Sequence, residues 1–184
     1  MRTALRILGL SCLLAFGSVS PSAFAAAPIA FSLTDQDGRT VTEKAFSDRY
    51  ALVFFGYTHC PDICPTTLYE LSVLADALPA HLKRQLSMVF VTGDPQRDTP
   101  EVLKAYMSPF GDKIIGLSGP VQSVDALAWS LKAVVIRHGD GTGDYPVDHS
   151  TNYTLLHNGA IVTQIPNTLT TDEMVKRLGE MMKP

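Results

Sequence analysis

The stretch Ala51-Leu-Val-Phe-Phe-Gly-Tyr57-Thr58-His59-Cys60-Pro61-Asp62-Ile63-Cys64-Pro65 decides the fold. Ala51 to Tyr57 is an unbroken apolar run, as expected of a strand buried on both faces in the middle of a parallel sheet. Behind it Leu68, Leu71, Leu74 and Leu78 recur at helical spacing, and Pro79 closes the helix. A strand therefore runs into a helix through a loop holding two cysteines. The partial positive charge of a helix N-terminus stabilises thiolates there. At i and i+4 the cysteines would lie on one helical face, about 5–6 Å apart at Cβ. Their sulfurs could converge on one ion or close a disulfide. The prolines restrict the loop and are expected to hold both sulfurs at the surface.

Downstream of this stretch, strands and helices alternate. Leu86 to Thr92 reads as a second buried strand. Thr99-Pro100-Glu101 opens a helix with a cap, a proline and an acid. Val102, Leu103, Tyr106, Met107 and Phe110 form its expected inner face, and Gly111 its end. Strands follow at Ile114 to Leu117 and Val134 to His138, with a helix from Ser123 to about Ala133 between them, Leu127 and Leu131 inward. After the polar loop Asp140 to Asp144, Asn158-Gly159 predicts a hairpin joining Tyr153–His157 to Ala160–Ile165. Thr170 and Glu173 form a capping box for a last helix, with Met174, Val175, Leu178 and Met181 inward. Such alternation predicts a central, mainly parallel sheet flanked by helices, ending in a hairpin strand and helix. Sites in such sheets lie beyond the carboxyl ends of the strands, where Cys60 and Cys64 emerge.

Upstream, Arg2 and Arg6 precede an uncharged apolar run from Ile7 to Val19, and Ala23-Phe24-Ala25 gives a small-x-small cleavage site. This is the layout of a secretory signal, with residues 1–25 removed and 26–184 forming one domain. The run is 13 residues long, short of the roughly 17–25 that span a bilayer. No permanent membrane anchor is expected, and Cys12 is discarded with the signal. The removed segment holds two arginines and no acid, so the net charge moves from −3 to −5. That argues against nucleic acid as a partner. A chain of 184 residues with 46% hydrophobic content can bury a core without disulfide or metal support. A bound ion would then serve function. Export would also let a disulfide persist.

Three blocks carry a resemblance. Phe55-Gly56-Tyr57-Thr58-His59-Cys60-Pro61-Asp62-Ile63-Cys64-Pro65-Thr66-Thr67-Leu68, Val91-Thr92-Gly93-Asp94-Pro95-Gln96-Arg97-Asp98-Thr99-Pro100-Glu101 and Val147-Asp148-His149-Ser150 are similar, in content and order, to the motifs of the Sco/SenC family. The resemblance spans the chain from about Phe31 onward. It implies a thioredoxin-like fold and a copper metallochaperone that helps assemble the dinuclear copper (CuA) centre of cytochrome c oxidase. It implies Cys60, Cys64 and His149 as ligands of one copper ion per chain, Cu(I) or Cu(II). The expected partner is the copper-site subunit of the oxidase or another copper chaperone, met by a monomer in the periplasm if the host is bacterial. The alternative is a thiol–disulfide oxidoreductase with Cys60 and Cys64 as the redox pair, which needs no histidine.

Other residues have plainer expected roles. Asp94 and Asp98 cap a loop near the same edge, with partner docking as the alternative, and Arg97 pairs with either. His59 points away from the cysteines. Asp148 and Ser150 orient the imidazole of His149. His81, His138 and His157 lie at the surface, and Met174 and Met181 belong to the core. Gly93 stands where the family pattern would have a bulkier residue.

Overall fold

A computed structural model describes residues 28–182. The signal segment, its cleavage site and Cys12 lie outside the described residues. Nine strands and five α-helices follow one another as β1 Ser32–Asp35, β2 Thr40–Thr42, β3 Tyr50–Gly56, α1 Ile63–Ala77, α2 Ala80–Gln85, β4 Leu86–Thr92, α3 Pro100–Met107, β5 Ile114–Ser118, α4 Val121–Ser130, β6 Val135–Arg137, β7 Val147–His149, β8 Tyr153–His157, β9 Ala160–Ile165 and α5 Thr171–Met181.

The apolar run of β3 forms an inner strand, beside the central β4, of a seven-stranded sheet ordered β2-β1-β5-β4-β3-β8-β9. β3 and β4 run parallel in register from Tyr50 opposite Leu86 to Gly56 opposite Thr92. β5 adds a third parallel strand, and antiparallel strands extend both edges. The parallel part is thus the three inner strands.

The unbroken hydrophobicity of β3 has a direct cause, because each face of the strand meets its own core. Leu52 and Phe54 pack with Phe90 under α1 and α5, whereas Val53 and Phe55 pack with Val89, Val91 and Leu117 under α4. Leu127 and Leu131 are inward, as the spacing required. On α5, Met174 and Leu178 are buried, as is Met182 directly after the helix, and Thr170 and Glu173 cap the helix reciprocally. Asn158 and Gly159 both take positive φ, 51° and 72°, as the predicted two-residue hairpin demands.

Three expectations change. The segment read as a fourth sheet strand, Val134 to His138, forms β6, which leaves the main sheet and pairs antiparallel with β7 in a separate ribbon. Val134 and Ile136 are about half exposed, at 52% and 50%, so this strand lacks the two buried faces of an inner position. Pro79 not only closes α1 but also precedes the short helix α2, with Leu82 inward. α3 ends at Met107 and passes into a 3-10 turn over Ser108–Lys113, where Gly111 adopts φ 71°. Only Leu103 and Met107 of its expected inner face are fully buried, and Val102 is exposed.

Candidate metal centre

At the carboxyl end of β3 the chain turns out through Tyr57 and Thr58, and Cys60 lies in this loop ahead of α1. Cys64 occupies the first turn of α1. The pair therefore does not share one helical face. Cys60 is partly buried and Cys64 has no exposed surface. This corrects the expectation that both sulfurs stand at the surface: α1 turns Cys64 inward onto Gly56 and Phe90. A Cβ at Gly56 would sit 2.7 Å from Cys64 Sγ and 2.6 Å from Phe90 Cε2. The glycine is required because the sulfur fills the space a side chain would need.

His149 arrives from the far side of the sequence. It ends β7, four residues before β8 begins at Tyr153, and it pairs with Val135 of β6. Gly93 makes room for this ribbon, since a Cβ there would meet Val135 Cγ1 at 3.1 Å. The imidazole stands edge-on to the rings of Phe54 and Tyr57, with centroids 5.8 and 6.0 Å away. Its Nδ1 lies 3.1 Å from the carbonyl oxygen of Ser150. A carbonyl only accepts, so Nδ1 carries the proton. In neutral imidazole that leaves a lone pair on Nε2. Nε2 is 3.3 Å from Cys64 Sγ, and the thiol donates to it.

One donor atom from each of Cys60, Cys64 and His149 falls within 4.8 Å of the others. The structure thus brings together the three residues singled out in the sequence. Both cysteines are free thiols. Burial pushes the Cys64 thiol well above its ordinary range, and the nearby Cys60 and Asp98 act in the same direction. Desolvation at this position opposes the thiolate-stabilising effect expected of the helix N-terminus. Burial also lowers the pKa of His149, which favours the neutral, ligating form.

The loop between β4 and α3 underlies this cluster. Asp98 is fully buried. It accepts hydrogen bonds from the Thr58 amide (2.9 Å), the Thr58 hydroxyl (2.6 Å) and the Thr92 hydroxyl (2.5 Å). Asp94, also fully buried, pairs with Arg97 and accepts from the Tyr145 hydroxyl at 2.6 Å. Arg97 donates to the Tyr145 carbonyl at 2.8 Å, and its guanidinium lies 3.6 Å from the centre of the Tyr145 ring. Arg97 thus pairs with Asp94, and Asp98 is held by hydroxyls and an amide. Sequence reasoning missed Gly56, Thr58 and Tyr145. The signal for Thr58 lay in its place directly before His59-Cys60.

The remaining residues sort cleanly. His59 is not part of the converging group; its Nδ1 lies 3.1 Å from Thr58 Oγ1 and 3.8 Å from Asp98 Oδ1. Asp148 does not orient His149; it faces outward to His138, 2.7 Å away. Successive strand residues point to opposite faces, which is why the neighbour of the donor turns outward. Ser150 acts on His149 through its carbonyl, while its hydroxyl accepts from the Val134 amide. His138 therefore has a partner, and His157 stacks on Tyr50 at 4.1 Å.

The sequence profile of the SCO1/SenC family matches residues 20–183. The chain belongs to the SCO1/SenC family. This SCO1/SenC member is 40% identical to a Stutzerimonas stutzeri protein over 124 residues, covering 67% of this chain and 61% of that protein. It is 37% identical over 120 residues to Protein SCO1 homolog 1, mitochondrial, of Arabidopsis thaliana, covering 65% of this chain and 36% of the relative. The match thus spans less than two thirds of each relative's own length. Among solved structures, Bradyrhizobium japonicum ScoI with copper bound superposes with a TM-score of 0.75 at 34% identity, covering 84% of this chain and 99% of that one. Yeast Sco1 with copper bound superposes with a TM-score of 0.75 at 31% identity, covering 83% and 86%. The SCO1/SenC member has the thioredoxin-like α/β fold of these neighbours.

Proposed function

We propose that this chain binds one copper ion through Sγ of Cys60, Sγ of Cys64 and Nε2 of His149, and hands it on during assembly of the CuA centre of cytochrome c oxidase. The observation that carries the reading is the convergence of these three donor atoms within 4.8 Å. The donor set fits the ion: thiolates are soft ligands that select Cu(I), and imidazole suits either valence. Copper-bound relatives of the same fold support it. Loading displaces the thiol protons, so binding strengthens as pH rises. Three protein donors leave the ion open to an incoming ligand, and a partner can take it by exchanging donors one at a time. The partner is the copper-site subunit of the oxidase or a second copper chaperone. The acting form is residues 26–184, exported after removal of 1–25, monomeric and without a permanent anchor. No helix among the described residues is long and apolar enough to cross a membrane.

Thiol–disulfide exchange is a second reading, favoured by the unequal exposure of the two sulfurs. The Cys60 thiolate would attack a partner disulfide, and Cys64 would resolve the mixed disulfide. Two electrons would leave the pair, forming a Cys60–Cys64 disulfide and two partner thiols.

The test is a Cu(I) competition titration of the reduced protein beside His149→Ala. One tightly held ion, weakened strongly in the variant, supports the three-donor site. No specific binding, with both cysteines still cycling between thiol and disulfide, assigns the protein to exchange chemistry.

A further inference from the structure

Three residues of the β4–α3 loop, none of them within the donor cluster, hold both halves of it. Asp98 grips the cysteine side. Its carboxylate takes the amide and hydroxyl of Thr58, two residues before Cys60, and is itself fixed by Thr92 at the end of β4. Its own carbonyl accepts from Ser118 at the end of β5, at 2.7 Å, which ties the loop to the inner sheet. Asp94 and Arg97 grip the histidine side. They engage Tyr145 three ways: hydroxyl to Asp94, carbonyl to Arg97, and ring beneath the guanidinium. Tyr145 lies two residues before β7, whose last residue is His149. The ribbon of β6 and β7 makes no ladder bond to the main sheet. Its position over the cysteines is therefore set by side chains, this buried polar clamp on the β7 side and the Arg137–Asp125 pair, 2.9 Å, between β6 and α4.

We propose that Asp94, Arg97 and Asp98 form a bracket that sets the distance between the sulfur pair and the imidazole, with Arg97 positioning His149 and Asp98 positioning Cys60. The inference rests on the metal-binding reading for its consequence but not for its geometry. The two arms act through different partners, so they are separable. A lysine at position 97 keeps the charge beside Asp94 but loses the planar fork that engages the Tyr145 carbonyl and ring together. It should release the ribbon. An asparagine at position 98 cannot accept at both oxygens from the three donors present, and should loosen the cysteine loop.

The experiment compares wild type, Arg97→Lys, Tyr145→Phe and Asp98→Asn, with two readouts on metal-free protein. These are the nuclear Overhauser contacts of the His149 ring with Phe54 and Tyr57, and the alkylation rate of Cys60. Arg97→Lys should weaken the His149 contacts and change the alkylation rate far less. Asp98→Asn should do the reverse. Cu(I) affinity should fall about 10- to 100-fold in Arg97→Lys, the range typical of residues that orient a ligand. If Arg97→Lys does not fold, Tyr145→Phe, which removes a single hydroxyl, probes the same arm. Retention of the His149 contacts in a folded variant of that arm overturns the proposal, as does one common response to both arms. Separable responses in a protein that holds no Cu(I) would uphold the bracket and reject the copper reading.

Discussion

Cys64 Sγ and His149 Nε2 stand 3.3 Å apart although 85 positions separate them in the chain. The contact joins the first turn of α1 to the end of β7, and it fixes the protonation pattern of both groups. With Nδ1 committed to the Ser150 carbonyl, Nε2 is the atom offered to the sulfur. Nitrogen-15 spectra of the metal-free protein at neutral pH should show His149 as the neutral Nδ1–H tautomer. The opposite tautomer would mean that the Ser150 carbonyl does not set the ring.

The two thiols should react at very different rates. Cys60 is partly exposed, whereas Cys64 is fully buried and its thiol is pushed up by desolvation. Limited iodoacetamide on reduced, metal-free protein should label Cys60 first, with Cys64 following only on unfolding. Peptide mass spectrometry reads the ratio. Equal labelling would contradict the inward turn of Cys64.

Gly56→Ala should damage both stability and the site. The added methyl would fall 2.7 Å from Cys64 Sγ and 2.6 Å from Phe90 Cε2, so one of them must move. Overpacking of this kind costs about 1–3 kcal/mol. Urea unfolding should show the loss, and Cu(I) affinity should fall with it, because one of the two crowded atoms is a proposed donor.

Alkaline pH should expose the contribution of Tyr145. Burial, with the hydrogen bond to Asp94, pushes its phenol from 10.0 up to about 12. A group raised on folding stabilises fully below its unfolded pKa, and that stability is lost as pH rises through the folded value. Unfolding free energy should therefore decline from pH 10.0 toward about 12, and less steeply in Tyr145→Phe. Identical slopes would remove Tyr145 from the alkaline loss.

The parts of the fold that periodicity can encode were legible. The run Ala51 to Tyr57 announced an inner strand because a strand buried on both faces has no polar positions to interrupt it. Asn158-Gly159 announced the hairpin because few other residues tolerate two consecutive positive φ values. Cys60, Cys64 and His149, the three side chains that converge, were legible by type and motif. What resisted reading was relative placement. Val134 to His138 has the composition of a sheet strand, yet it packs beside Gly93 and pairs with β7 in a ribbon. Asp94 and Asp98 looked alike as loop acids, yet one meets Arg97 and Tyr145 while the other meets Thr58 and Thr92. The contacts with Tyr145 and Thr58 reach across 40 or more positions, which local pattern does not record. The thiol of Cys64 was misjudged for the same reason: the helix terminus is visible in sequence, and the depth of burial is not.

The separateness of the β6–β7 ribbon has a thermal consequence. Two short strands alone are marginal, and these are tied to the rest of the fold by side chains, the Tyr145 clamp and the Arg137–Asp125 pair, instead of a ladder. Mild heat or denaturant should therefore lift the ribbon while the seven-stranded sheet stays intact. The protein would then pass through a partly melted form that keeps its sulfurs and has given up its nitrogen.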